Sequence, residues 1–277
     1  MRLQHLALLG FLQLTACTSN ELVFSDKVTV DPITGQDGLP KYVQAQGQQP
    51  VSGSGRIQWF TCTQGPAAPT MVLLNPGPKP WSQDEVCKTA PALAFLNHGL
   101  NVVAINRPET ETLGDDTSLN QVKETVDFLQ KEGDRRLEGL WSLGEGSVLA
   151  LRLARQYPWK VLIIGNGIYD LEMTLKDSAD KDFLARVKAM TGSSNPSFVE
   201  KRSASWDLSG LPKVVYLYHG GRNAQVNSKQ ATQFRNSLAA SEHKVELYIL
   251  EEGTEDLRPD YHRGVLSKIL ENYQKPE

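Results

Sequence analysis

The stretch Gly139-Leu140-Trp141-Ser142-Leu143-Gly144-Glu145-Gly146-Ser147, running on into Val148-Leu149-Ala150-Leu151-Arg152-Leu153-Ala154, constrains this chain more than any other. Leu137 to Trp141 reads as a buried strand, the glycines that follow permit a sharp turn, and Gly146 to Gln156 reads as an amphipathic helix that Tyr157-Pro158 ends. The same alternation recurs on both sides of it. A chain that repeats strand and helix in this way folds into a parallel sheet covered on both faces. With 277 residues, 40% of them hydrophobic, one α/β domain of ordinary size is expected and no repeat is visible.

Taken in order, Arg56 to Cys62 alternates as a half-buried strand, and Met71 to Asn75 is a short apolar run suited to a central strand. Ala90 to Asn97 reads as a helix that His98-Gly99 stops. His98 suits the negative end of that helix dipole. Asn101 to Arg107 is the next strand and its exit, and Glu109 to Ser118 a polar loop. Leu119, Val122, Val126 and Leu129 recur at helical spacing. Val161 to Ile164, Lys213 to Tyr218 and Val245 to Leu250 are further strands, and Ser228 to Ala240 and Pro259 to Tyr273 further helices.

The ends carry separate information. Met1-Arg2, then an apolar run from Leu3 to Leu14, then Leu14-Thr15-Ala16-Cys17 resembles a bacterial lipoprotein signal cleaved before Cys17. The expected division is a signal at 1–16, a tether with early strands at 17–54 and the domain at 55–277. Glu21 to Phe24 and Lys27 to Val30 are the candidate early strands. Lipid on Cys17 implies a membrane partner and an envelope location, facing the periplasm from the outer membrane because Thr18 follows in place of Asp. It leaves Cys62 and Cys87 as an even pair in an oxidising compartment, for which a disulfide is expected. The formal net charge of −3 gives no reason to expect a nucleic-acid partner.

The central stretch resembles the nucleophile elbow of the α/β-hydrolase superfamily, whose members read roughly G-L-W-G-x-S-x-G-G before an Ala/Leu-rich helix. The resemblance runs from about Arg56 to Tyr273 and includes the strand exit at Asn101 to Pro108. It implies a single α/β-hydrolase-like domain with a small cap at about 169–210. It also implies three site positions. Aligned without a gap, the family's nucleophile falls on Gly144, with Ser142 on the family's first Gly. The acid, in a His-Gly-x-x-Asp loop, falls on Asn223 of His219-Gly220-Gly221-Arg222-Asn223. The base falls on Asp256 of Gly253-Thr254-Glu255-Asp256. The oxyanion-type donors fall on Gly77 and on Glu145, the residue after the nucleophile position; Pro76 and Pro78 have no N–H to give.

All three chemical roles are therefore replaced. Glycine has no side chain to acylate, Asn lacks the charge that orients a base, and an ordinary carboxylate is a poor base for a hydroxyl. The expectation is a lipid-anchored protein that keeps the cleft to bind a small molecule, a peptide or an envelope protein. The alternative is an active serine hydrolase, esterase or peptidase, that uses Ser142 as a displaced nucleophile with His262 as base; the helix context of His262 reads as a surface position. Ser147, inside the helix start, reads as its cap, His219 as structural and His243 as solvated. No cofactor is expected, and no His pair or Cys cluster has metal-ligand spacing. The acidic doublets read as solvated loops, and Trp81, beside the presumed cleft, is the tryptophan placed for ligand contact.

Overall fold

The computed structural model describes residues 41–275, with 54, 78, 133, 134 and 192–195 excepted. The signal segment, Cys17 and the early strands expected at 21–24 and 27–30 lie outside the described residues. Eight strands make one sheet: β1 (Val43–Val51), β2 (Gly55–Thr63), β3 (Thr70–Leu74), β4 (Asn101–Ile105), β5 (Leu137–Leu143), β6 (Val161–Gly165), β7 (Val214–Gly220) and β8 (Lys244–Leu250). Their order is β1-β2-β4-β3-β5-β6-β7-β8. β1 runs antiparallel to β2, β2 antiparallel to β4, and every later pairing is parallel. β3, β4 and β6 are buried along their whole length, as their unbroken apolar runs require of strands covered on both faces.

β1 stands where the sequence shows no strand signal. Its residues, VQAQGQQPV, are mostly polar and carry a proline. An edge strand tolerates both, because one of its sides faces solvent and its outer N–H groups need no partner. The pairing reaches from Val43–Thr63 to Val51–Gly55, so the domain begins ahead of residue 55.

Helices cover the two faces. α2 (Ala90–Asn97) and α9 (Pro259–Gln274) pack on one face through Ala92, Phe95, Leu96, Leu266, Ile269 and Leu270. α3 (Asp116–Glu132), α4 (Gly146–Ala154) and α8 (Ser228–Ala240) cover the other through Val122, Val126, Leu149, Leu153, Phe234 and Leu238. Adjacent residues of β5 confirm the alternation: Leu140 belongs to the second face and Trp141 to the first. The short helix α1 (Gln83–Val86) ends at Cys87, which is bonded to Cys62 of β2. The expected disulfide is present.

Between β6 and β7 the chain leaves the sheet to form a cap of α5 (Leu171–Asp177), α6 (Lys181–Thr191) and α7 (Pro196–Arg202), then a single 3-10 turn at Ala204–Trp206. The cap has its own apolar cluster. Leu171, Phe183, Val187 and Val199 close on Val148 from the first turn of α4, Leu113 from the loop before α3, and Val226 from the loop after β7. The cap is thus packed down on the elbow helix. No helix among the described residues is long and apolar enough to cross a membrane.

Candidate functional site

The strand order locates the site. From β3 the chain crosses to β4 on one side; from β4 it crosses back over β3 to β5 on the other. The loops leaving β3 and β5 diverge, and ligands of open α/β sheets bind in the crevice at such a switch point, beyond the carboxyl ends of the strands. The β5 exit is the elbow. Gly144 has φ +54°, in the left-handed region that side chains disfavour. Its N–H donates to the Gly165 carbonyl at 2.9 Å, and a Cβ built on it would meet nothing within 4 Å. The backbone therefore presents this position to open space, and no side chain is there. Two residues on, Gly146 lies against β3: its N–H donates to the Pro76 carbonyl at 3.1 Å, and a Cβ would stand 2.6 Å from the Asn75 carbonyl oxygen. Only glycine fits that close approach.

Asn223 and Asp256 are both placed at this end of the sheet, in the loops after β7 and β8. The Asn223 side chain is spent on its own loop, its Oδ1 accepting from the N–H of Gln225 and of Val226, both at 2.9 Å. Asp256 is exposed, and the carboxylate that meets the β7 loop is that of Glu255, which accepts from the Ala224 N–H at 3.4 Å. A residue that sequence reading did not single out ties the two loops together. Asn166, at the end of β6, is buried and has φ +45°. Its Nδ2 donates to the carbonyls of Thr254 and Glu255 at 2.9 Å each, and its Oδ1 accepts from the Gly220 N–H at 2.7 Å. Asparagine between two glycines at a strand exit was the available signal, since Asn adopts left-handed backbone more readily than other side chains.

Ser142 and His262 are not brought together. Ser142 is fully buried and donates to the Leu74 carbonyl at 3.2 Å, on the α4 face of the sheet by alternation from Trp141. His262 lies under the opposite face, edge-on to Trp141 and Tyr218. Its expected surface position is overturned: it is 7% exposed because it shares the inward face of α9 with Val265 and Leu266, one turn on. Its Nδ1 is 3.2 Å from the Tyr218 hydroxyl, which itself accepts from the Trp141 indole at 3.0 Å. Burial lowers its pKa to about 4. His219 is buried as well; its Nε2–H donates to the Val226 carbonyl at 2.8 Å, its structural role is kept, and burial lowers its pKa to about 4. His243 is half-buried, with both ring nitrogens enclosed, and so is not solvated. His98 caps α2, its Nδ1 2.9 Å from the Ala94 carbonyl. Ser147 does not cap α4; its hydroxyl accepts the Ile168 N–H at 2.8 Å and anchors the start of the cap.

Of the two oxyanion-type N–H groups, that of Gly77 is taken. The Gly77 N–H donates to Asn75 Oδ1 at 2.9 Å. Asn75 and Asn106 join at 3.2 Å, and Asn106 holds both the N–H and the carbonyl of Trp81, so that the loop carrying Trp81 is fixed to the β4 exit. The Glu145 carboxylate pairs with Arg186 of the cap at 2.7 Å. Beside it, Arg107 at the strand exit and Glu111 in the segment expected as a polar loop form a buried ion pair at 2.6 Å, their side chains 6% and 4% exposed. Burial raises the Glu111 pKa against the pull of Arg107, and the charges of Asp115 and Glu145 push the same way as burial. These groups line a recess of about 70 Å³ together with Asn75, Gly77 and Met190. Among the described residues, no group of three or more His, Cys, Asp or Glu is placed to hold a metal ion.

Solved structures share this fold. An acylaminoacyl peptidase of Pyrococcus horikoshii is similar with a TM-score of 0.68 at 15% identity, over 84% of this chain and 41% of that one. A puromycin-hydrolyzing peptidase of Mycobacterium tuberculosis is similar with a TM-score of 0.66 at 15% identity, over 83% and 38%. A truncated carbohydrate esterase from gut microbiota gives 0.61 at 12% identity, over 78% and 91%. The chain has the α/β-hydrolase fold. It spans about two fifths of the length of the two peptidases. No protein-family model matches the sequence, and no curated protein matches it. At these identities the likeness concerns the fold, and the chemistry has to be argued from this chain's own residues.

Proposed function

We propose that this chain is a lipid-anchored α/β-hydrolase-fold protein that has given up serine-hydrolase chemistry and serves by binding. The observation that carries the reading is Gly144, which keeps the left-handed elbow backbone and its opening to space with no nucleophile on it. The side chains around it support the same reading. Asn223 serves its own loop, Asp256 is exposed with no imidazole at its position, and the Gly77 N–H is taken by Asn75. A serine hydrolase needs nucleophile, base and acid in hydrogen-bonded sequence. The neighbours named as peptidases and as an esterase make a peptide or an acylated compound the first ligand class to screen. Cys17 would carry the lipid and hold the domain at the envelope, with a membrane as its standing partner.

The test of lost chemistry is labelling with a fluorophosphonate, which reacts with activated serines. Folded wild-type protein is expected to remain unlabelled and to leave short acyl esters and aminoacyl amides intact. Labelling that disappears in Ser142→Ala would overturn the reading. The anchor has its own test: palmitate is incorporated in bacterial cells by the wild type and not by Cys17→Ser.

A further inference from the structure

Away from the elbow, at the far end of α4, a recess of about 300 Å³ is lined by the cations Arg152, Arg155 and Lys201, the carboxylates Glu200 and Asp207, and Gln156 and Leu119. Its cations are unequally matched. Arg152 and Lys201 share one carboxylate, Asp116, at 2.7 and 2.6 Å. Arg155 makes no ion pair among the described residues; it donates to the backbone carbonyl of Asp207, and its Nε is buried without a partner. The Asp207 carboxylate is turned to the Ser209 N–H at 2.9 Å. Behind the recess, Arg202 is 9% exposed, stacks on Phe198 with its guanidinium carbon 3.3 Å from the ring centre, and leaves its own Nε unpartnered. Burial weakens the protonated form of both arginines, and the charge of Arg152 adds to this on each; Asp207 opposes it at Arg155, and Asp115, Asp116 and Glu111 oppose it at Arg202. Four cations are gathered here, and among the described residues two of them, Arg155 and Arg202, stand near carboxylates without forming an ion pair.

We propose that this recess binds the phosphate group of a small phosphate ester through Arg155, Gln156 and Lys201. A tetrahedral anion accepts from donors on several sides at once, which suits a guanidinium and an amide at the end of α4 and an ammonium on α7. A phosphate alone would not fill the volume, so an organic group accompanies it, with Leu119 as its apolar contact. The negative end of α4 helps to hold Arg152 and Arg155 in place, and the guanidinium of Arg155, in no ion pair among the described residues, is left for the ligand. The site is separate from the elbow and stands whether or not that cleft binds anything.

The experiment uses the full-length chain in neutral detergent at fixed ionic strength. Inorganic phosphate is titrated against chloride while thermal unfolding and tryptophan fluorescence are followed; Trp206, 55% exposed, lies between the lining residues Ser203 and Asp207. Saturable binding that weakens at least about tenfold in Arg155→Gln and in Lys201→Gln is expected, the scale of one lost charge-assisted hydrogen bond. Lys201 is 56% exposed, so its variant folds even if Arg155→Gln does not. Glycerol phosphate and monomeric dihexanoyl phosphatidylglycerol then separate the sources. Binding of the first alone marks a soluble ester, and tighter binding of the second marks a lipid headgroup. No saturable response to phosphate on folded protein, or binding that survives both substitutions, overturns the proposal.

Discussion

At the residue scale, two glycines two positions apart face opposite constraints. Gly144 needs glycine for its backbone angle alone, since a Cβ there would touch nothing. Gly146 needs glycine for space, with the Asn75 carbonyl and the Ser142 hydroxyl 2.6 and 2.7 Å from the missing Cβ. Gly144→Ala is therefore expected to cost about 1–2 kcal/mol, the penalty of a left-handed side chain. Gly146→Ala should cost about 3 kcal/mol or more, because it must push β3 and α4 apart. Urea unfolding of both variants tests the order, and equal losses would refute it. Gly144→Ser should fold almost as well as Gly144→Ala and still resist a fluorophosphonate, because His262 lies under the opposite face of the sheet. Asn166 carries more than either. Asn166→Ala would strip two part-buried carbonyls and one buried N–H of their partner, and a loss of about 3 kcal/mol is expected.

At the scale of elements, the sheet was legible because central parallel strands are apolar throughout and helices repeat their apolar positions every three or four residues. β3, β4, α2 and α8 fall where those patterns put them. β1 was not legible, since VQAQGQQPV at an edge has neither pattern. The pairs Arg107–Glu111 and Glu145–Arg186 were hidden for another reason. Burial of a charge is decided by what the cap and the β4 exit enclose, and local sequence does not record that. The same holds for His262, whose helix looked exposed until α9 had a sheet to lie on. The Cys62–Cys87 bond pins β2 to the segment leading into α2, across 25 residues. Closing a loop of that length in the unfolded chain is worth about 3.5 kcal/mol. Cys62→Ser with Cys87→Ser should lose about that much stability in urea, and reductant should then have no further effect. A double variant as stable as the oxidised wild type would show that the bond does nothing for the fold.

At the scale of the whole molecule, the buried imidazoles make stability depend on acid. His219 and His262 are held near pKa 4 by burial, against about 6.5 in an unfolded chain. Both are neutral in the fold at pH 7, and their full contribution is present above about pH 6.5. Below that the unfolded chain takes up two protons that the fold refuses, and stability falls by about 1.4 kcal/mol per pH unit for each group until pH approaches 4. The hydrogen-bond chain gives the refusal a local cause. Tyr218 accepts from Trp141 and has His262 Nδ1 at 3.2 Å as an acceptor for its own hydrogen; protonating that nitrogen removes the acceptor and turns the hydroxyl hydrogen away into a buried space. Asp116, lowered to about 2 by Lys201 and Arg152, extends the loss below pH 4. Glu111 acts in the opposite sense: its raised pKa means that it gains a proton more readily in the fold, which offsets part of the loss once the pH falls below its folded value. Unfolding free energies measured in urea from pH 7 to pH 4.5 should therefore decline steeply, and His262→Phe, which keeps a ring in the space between Trp141 and Tyr218, should remove about half of the slope whatever it does to stability at pH 7. A slope that His262→Phe leaves unchanged would mean that the imidazole takes up its proton as readily in the fold as in the unfolded chain, with Tyr218 accepting from both Trp141 and His262.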